Sequence, residues 1–363
     1  MTENKKIKHP LKSIYFYLTE DCNLKCRHCW LAPGYQPGIT SDRYLSFDLF
    51  RSILNQARQL GLSDLKLTGG EPLLHPQIAD LLNFVRKEDL RLSLETNGVL
   101  CTPELSEKIK SCKEPFVSVS LDGSTAETHE WVRGVKGCFA EALDGIRNLS
   151  RAGIKPQIIM SIMHHNKHQL EELVQLAVRL GAASVKFNIV NPITRGKKMY
   201  LAGEVPDIEE LIDLGEWVEN DLSKSYPLDI HYSHPMAFQP LGKILGNNGT
   251  GCSACGISSI LGVLSDGSYA LCGIGESVQE LIFGNAGTDN LIEIWNRTAI
   301  LNDIRSSLTH KLEGICGKCL LITKCSGYCI AQNYFMSKNL YAPFWYCESA
   351  YEKGLFPLSR LKE

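Results

Sequence analysis

Three thiols stand close together near the start of the chain, in Cys22-Asn-Leu-Lys-Cys26-Arg-His-Cys29. Spaced four and three residues apart in one loop, they can converge on a single metal centre. A structural zinc site or a storage-type iron–sulfur cluster takes four protein ligands. Three ligands on a cubane leave one iron open to a substrate or cosubstrate. A zinc loop completed by a distant fourth ligand, with His28 as candidate, is the alternative reading. The other cysteines are also grouped: of fourteen in 363 residues, three lie at 252, 255 and 272 and five between 316 and 347. Only Cys101, Cys112 and Cys138 stand alone, and they read as small buried hydrophobes. In a reducing compartment thiols do not persist as structural disulfides, so such clustering points to metal.

Four further motifs fall at strand ends. Gly69-Gly70-Glu71-Pro72 follows one apolar run and Glu95-Thr96-Asn97-Gly98 ends the next. Ser118-Val-Ser120-Leu-Asp122-Gly123 ends a third, and Arg133-Gly134 lies in the loop region after it. In βα barrels the carboxyl ends of the strands form the rim on which active sites are built. His164-His165 closes the fifth run, but neighbours on an extended chain point to opposite faces, so the pair reads as rim rather than metal site. Asn188, Asn191 and Arg195, after the sixth, read as a solvated loop with a weaker claim on the substrate side.

The elements that must position these residues are six apolar runs, Ser13–Leu18, Asp64–Leu67, Arg91–Glu95, Phe116–Leu121, Gln157–Ile162 and Ser184–Ile189, read as buried parallel strands. Helical patterns lie between them at about 46–60, 77–88, 103–111, 138–152 and 168–180, with a sixth near 208–223. Gly61, Gly153 and Gly181 sit where C-capping glycines belong. Six βα units imply an α/β fold, a partial (β/α)6 barrel of the TIM type over residues 1–230. Residues 224–250 read as irregular connection, with 231–250 as the linker. A small cysteine-rich domain, 251–363, follows, with a β-hairpin turning at Asp266-Gly267 and a helix over 289–308. Its periodic apolar content is thin, so metal crosslinks must supplement its core.

The first cysteine spacing resembles the CxxxCxΦC signature of the radical S-adenosylmethionine (SAM) superfamily, with His28 at the usually aromatic Φ position. The resemblance implies that Cys22, Cys26 and Cys29 bind a 4Fe–4S cluster whose open iron is chelated by SAM. One electron then cleaves the sulfonium to methionine and a 5′-deoxyadenosyl radical. Hydrogen abstraction from an unactivated carbon needs such a radical, which no side chain provides. Gly69 to Pro72 matches the family's GGEP motif, which binds the methionine amino group. Ser120 and Asp122 lie in a segment resembling VSLDG, which approaches the ribose. Arg133 lies in a stretch resembling HxxxRG, where a guanidinium reaches the methionine carboxylate. Together with Asn97 these make up the implied SAM contacts.

The later cysteines, Cys252-x2-Cys255-x11-Gly267-x4-Cys272, then Cys316-x2-Cys319-x5-Cys325-x3-Cys329, then Cys347, resemble the SPASM pattern CX9-15GX4C–CX2CX5CX3C–C. By position, Cys252, Cys255, Cys272 and Cys329 would hold one auxiliary 4Fe–4S cluster. Cys316, Cys319, Cys325 and Cys347 would hold a second, making three clusters in all. Zinc is the rival for these ligands. Cys252 lies outside the minimal pattern, and without it the first auxiliary cluster would have an open iron.

SPASM-containing radical enzymes mostly modify ribosomally made peptides by crosslinking, thioether formation, oxidation or epimerisation, so a small precursor peptide is the expected substrate. The alternative is a haem-precursor tetrapyrrole, for which Arg195-Gly-Lys197-Lys198 is a thin basic hint; a non-catalytic scaffold is the third reading. In relatives that dehydrogenate sulfatases an aspartate follows the cysteine matching Cys272. Here Gly273 follows, which argues against that activity. Few residues precede the first strand, so leader recognition falls to a separate protein or the rim, and electrons would come from a flavodoxin or ferredoxin. No catalytic acid, base or hydrogen donor is singled out. The 38 basic and 40 acidic residues, net −2, speak against nucleic acid. No apolar run spans a membrane, and MTENKKIKHPLKS lacks a signal peptide's apolar core, so a cytoplasmic protein is expected.

Overall fold

The computed structural model describes residues 8–38, 40–246 and 255–362. Strands β1 (Ser13–Tyr17), β2 (Asp64–Thr68), β3 (Arg91–Thr96), β4 (Lys113–Ser120), β5 (Gln157–Ile162) and β6 (Ser184–Ile189) pair in parallel in chain order. These are the six strands read from the sequence. Helices α1 (Phe47–Arg58), α2 (Ile78–Lys87), α3 (Pro103–Lys110), α4 (Ala126–Arg133), α5 (Cys138–Arg151) and α6 (Leu170–Arg179) connect them. Their ends follow local chemistry. Ser46 and Thr102 cap α1 and α3 through their hydroxyls, accepting from Leu49 N and Leu105 N. Gly61, Gly153 and Gly181 sit just past helices at φ +86°, +81° and +74°, where a side chain would be strained.

The sheet continues beyond these six strands in both directions. Within the stretch read as irregular, β7 (Asp229–Tyr232) pairs parallel to β6, from Ser184↔Asp229 to Phe187↔Tyr232. At the other edge, β8 (Ile260–Val263) pairs parallel to β1. Strands β9 (Ser268–Ala270) and β10 (Ile282–Asn285) then add antiparallel, β8 and β9 forming the hairpin expected at Asp266-Gly267. The cysteine-rich segment thus shares one ten-stranded sheet with the barrel. An unpaired strand edge is a row of unsatisfied peptide groups, and both additions cover one. Two more readings need correction. Asn191 to Arg195 leads into helix α7 (Thr194–Leu201) rather than a solvated loop. The 289–308 helix breaks at Thr298, whose extended backbone separates Leu291–Arg297 from Ala299–Lys311.

Parallel strands covered on both faces are ordinarily near-continuous apolar runs. These alternate. Ile14, Phe16, Leu65, Leu67, Leu92, Leu94, Val117, Val119, Val185 and Phe187 are 1% exposed or less and pack outward against the helices. The intervening Tyr15, Tyr17, Lys66, Thr68, Ser93, Glu95, Ser118, Ser120, Lys186 and Asn188 project to the other face, because successive side chains alternate. The hydrophobic effect is therefore exercised on the outer face, and the inner face stays polar. Truncation should separate the two. Leu67→Ala should cost about 2–5 kcal/mol, and Ser93→Ala about 0.5 kcal/mol or less, both read by urea denaturation.

Candidate active site

The loop after β1 carries Cys22, Cys26 and Cys29, and neighbouring elements hold it by its backbone. Lys25 N and Arg27 N donate to the carbonyls of Arg133 (2.9 Å) and Val132 (2.9 Å) at the end of α4. From α7, the Thr194 hydroxyl bonds the Cys29 and Trp30 carbonyls (3.0 and 2.7 Å), and the Arg195 guanidinium bonds those of Cys26 and Pro33 (3.2 and 3.1 Å). Donors also aim at sulfur. Leu24 N lies 3.5 Å from Cys22 Sγ, Asn97 Nδ2 lies 3.9 Å from it, and Arg133 Nη1 lies 3.4 Å from Cys26 Sγ. Burial pushes the Cys22 thiol well above its usual range, and Cys26, Glu71 and Cys29 push the same way. Such a group becomes a thiolate only beside strong positive charge, which an iron centre held there would supply. The donor set fits an iron–sulfur site.

Beside the three thiols is a cavity of about 160 Å³ whose wall includes Gly69, Gly70, Glu71, Asn97, Ser120 and Arg133. The paired glycines are dictated by the backbone. Gly69 has φ +128°, and a Cβ on Gly70 would lie 2.0 Å from the Asp21 carbonyl oxygen. Glu71 is turned inward, accepting from Thr96 Oγ1 (2.7 Å), Asn97 N (2.8 Å) and Leu73 N (3.1 Å). Burial raises its carboxyl to about 7 despite those bonds. Its carboxylate braces the next strand end, and the backbone of the motif faces the cavity. Pro72 starts a short 3-10 turn behind the wall.

Asp122 also sits behind the wall. Its carboxylate pairs with Arg133 Nη2 at 2.7 Å and accepts from Ser161 N at 2.7 Å. Burial works against its ionisation, but Arg133 outweighs it and holds the carboxyl below its usual range. Burial likewise opposes the Arg133 charge, which Asp122 and then Cys26 preserve. His28 Nε2 faces this carboxylate at 4.0 Å, and burial drops its pKa to about 4, so the ring is neutral at pH 7. A neutral ring at that distance makes no hydrogen bond to the carboxylate, and His28 Nδ1 is buried without a hydrogen-bond partner among the described residues. His165 stacks on Trp131 at 3.9 Å while His164 faces Glu210, so the adjacent imidazoles do diverge.

The later cysteines separate into two groups in space. Cys272 feels the charges of Cys329 and Cys255, and Cys255 and Cys329 line a common cavity. Cys316, Cys319, Cys325 and Cys347 line a second, apolar one. Cys325 and Cys329, only four residues apart, go to different groups because Ser326, Gly327 and Tyr328 all take positive φ (51°, 78° and 59°). Non-glycine residues adopt this at a cost of about 1–2 kcal/mol each, and the reversal it produces points the two thiols apart. Backbone N–H groups of Leu321 and Phe344 lie 3.4 Å from Cys319 Sγ and Cys316 Sγ. Burial raises Cys255 and Cys325 to about 12. Among the described residues no three thiol, imidazole or carboxylate groups lie close enough together to hold a single ion as they stand. Cys252 lies outside the described residues. Cys101, Cys112 and Cys138 are buried at 5% exposure or less, and Cys138 packs beside Cys22, Leu24 and Cys26.

The Cys255–Cys329 cavity, about 460 Å³, also takes in Tyr15, Lys66, Lys186, Asn188, Asn191, Gln332 and Trp345. Lys66 pairs with Glu95 at 2.7 Å, and Glu95 lines the thiol-triad cavity. Tyr17 stands between the cavity of the triad and Cys272. A Cβ on Gly273 would fall 2.3–2.6 Å from its ring and hydroxyl, so the phenol fills the space that a side chain at 273 would take. Motif reading missed Tyr17, Lys66 and Lys186. Their signal was the alternation along β1, β2 and β6, in which polar residues recur every second position.

Fold and site together define an enzyme that generates a radical from SAM. The chain belongs to the radical SAM superfamily, whose model matches residues 16–177, and a model for the iron–sulfur cluster-binding SPASM domain matches residues 252–320. It is similar to the AdoMet-dependent heme synthase of Methanosarcina barkeri, with 28% identity over 348 residues, covering 92% of this chain and 95% of the relative. It is also similar to mycofactocin maturase MftC of Mycobacterium tuberculosis, with 26% identity over 330 residues, 90% of this chain and 80% of the relative. The crystal structure of Streptococcus suis SuiB bound to precursor peptide SuiA shares the fold, with a TM-score of 0.73 at 20% identity over 94% of this chain and 76% of that one. No helix among the described residues is long and apolar enough to cross a membrane.

The Asp122–Arg133 pair generates a prediction. Arg133→Met leaves a buried carboxylate uncompensated and should destabilise the fold by about 3–5 kcal/mol. Adding Asp122→Asn should restore part of that loss, read by denaturant titration of the single and double variants.

Proposed function

We propose that this enzyme abstracts hydrogen from carbon in a ribosomally made peptide and thereby modifies it. The observation that carries the reading is the arrangement of the cavities. One lies against the thiol triad, the other against Cys255 and Cys329, and both are walled by the polar face of a single sheet. Cys22, Cys26 and Cys29 would hold the SAM-binding 4Fe–4S cluster. Cys255, Cys272 and Cys329 with Cys252, and Cys316, Cys319, Cys325 and Cys347, would hold two auxiliary clusters. When bound, these groups supply single-electron chemistry, which includes the reductive cleavage of SAM to methionine and a 5′-deoxyadenosyl radical. The chain's own residues do the rest. Gly69 and Gly70 bring bare backbone to the SAM pocket, Asn97 and Ser120 present polar groups there, and Arg133 places positive charge beside it. Gln332 donates to Asn191 at 2.8 Å and accepts from Trp345 at 3.2 Å, which joins the two sides of the larger cavity with amide groups suited to a peptide backbone. The similarity to MftC supports the same reading. Gly273, where an aspartate would stand in sulfatase-modifying relatives, speaks against that one chemistry.

A haem-precursor tetrapyrrole is the second reading, favoured by two lysines inside the larger cavity and by the similarity to a heme synthase across nearly its whole length. The basic trio noticed in the sequence contributes little to it. Arg195 is spent on the cysteine loop, and Lys197 and Lys198 are exposed on α7.

Anaerobic reconstitution should load about twelve irons per chain, three cubanes of four. Four or fewer, with zinc present, removes the auxiliary-cluster assignment. Cys26→Ala should abolish 5′-deoxyadenosine formation while retaining about eight irons, and continued cleavage in that variant refutes the role of the triad. Co-expression with a neighbouring small open reading frame, followed by peptide mass spectrometry, tests the substrate class.

A further inference from the structure

Lys186 and Asn188 lie two residues apart on β6 and therefore share a face, which here is the wall of the larger cavity. The other polar groups of that wall are largely matched within the protein. Tyr328 donates to the Ser233 carbonyl at 3.0 Å, and Gln332 and Asn191 bond each other. Lys66 is paired with Glu95, whose second oxygen accepts from Thr68 at 3.3 Å. Lys186 has no such match: among the described residues no carboxylate lies within ion-pair distance of its ammonium. Glu95 acts on it only at longer range, and Lys66 acts against it. His231, opposite Lys186 in the register of β7, adds no negative charge. Lys186 is thus a cation without a direct partner in a partly desolvated space, where an ion is costly unless paired. Asn188 supplies an amide donor beside it with no bond to another side chain among the described residues.

We propose that Lys186 and Asn188 form a carboxylate-binding subsite that seats an acidic group of the substrate in the cavity bordered by Cys255 and Cys329. The inference rests on the reading that substrate occupies this cavity, and it adds a requirement that neither substrate class carries by itself. The molecule must present a carboxylate at a fixed distance from the carbon that loses hydrogen. The ammonium supplies charge and the amide supplies direction, a combination that rejects esters and amides of the same shape.

Amine footprinting of the full chain tests this. Acetylation of Lys186 by an activated acetyl ester is followed by mass spectrometry, with exposed Lys197 as the internal control. The probes are coproporphyrin III against its tetramethyl ester, and acetyl-Gly-Glu-Gly-amide against its Gln analogue. One of the acids should slow acetylation of Lys186 by about fivefold or more, and its neutral analogue should not. Protection by the tetrapyrrole alone assigns the carboxylate to a haem precursor, and protection by the peptide alone assigns it to a peptide side chain. Protection by neither, or equally by the neutral analogues, overturns the subsite. Lys186→Met should weaken binding of the protecting acid by about tenfold or more, with Lys186→Arg restoring most of it. SAM cleavage by the unaltered chain is measured in parallel. If no 5′-deoxyadenosine forms, the radical reading fails by itself; if it forms and no acid protects Lys186, only the subsite fails.

Discussion

A parallel sheet that gives one face to chemistry must draw its stability from the other. In this chain the outer face is close-packed with Leu, Ile, Val and Phe against helices, and the inner face carries tyrosine, lysine, serine and glutamate. Every polar side chain on that inner face forgoes apolar burial of about 1.5–3 kcal/mol that a Leu or Val there would gain. The edges compensate in part. With β7 covering β6 from Ser184 to Phe187 and β8 covering β1 from Ser13 to Phe16, most of both outer edges is paired. The same pairings bring the cysteine-rich segment to the barrel, so the feature that completes the sheet also sets the second cavity beside the first.

Within that frame, the site is a problem of holding charge where water is scarce. Asp122 and Arg133 are both buried and neither would be tolerated alone. As a pair they fix a guanidinium against Cys26, and the end of α4 that carries Arg133 also hydrogen-bonds the cysteine loop. One ion pair therefore links strand end, helix end and cysteine loop. Glu71 plays the corresponding part on the other side. Its carboxylate braces Thr96 and Asn97, so that the glycine motif and the next strand end move as one unit. The thiols are the remaining case. Burial raises the Cys22 and Cys29 thiols above their usual range, with neighbouring thiols acting the same way, so a cationic centre would be needed to hold them as thiolates.

How much of this was legible in the sequence depends on the range of the interactions involved. The six strands, the capping glycines and the hairpin at Asp266-Gly267 are written in local periodicity and turn chemistry, which act over a few residues. The thiol triad and the order of the later cysteines are likewise fixed by spacing along the chain. What stayed hidden was long-range. Strand β7 looked like connection because four residues of mixed polarity carry little period, and only the open edge of β6 makes a strand of them. The α7 helix was hidden because its role is to grip a loop that lies about 165 residues earlier in the chain.

Sequence alone determined the donor types, their counts and the face each strand residue would take, because covalent order and the pleat settle those matters. Tertiary structure decided which donors meet. Three consecutive left-handed residues, Ser326 to Tyr328, send Cys325 and Cys329 to different cavities. Arg133 engages Asp122 and Cys26, Tyr17 fills the gap left by Gly273, and Lys186 lines the larger cavity without an ion-pair partner among the described residues. None of these follows from spacing, since each depends on how distant segments pack and on which buried charge finds a partner first.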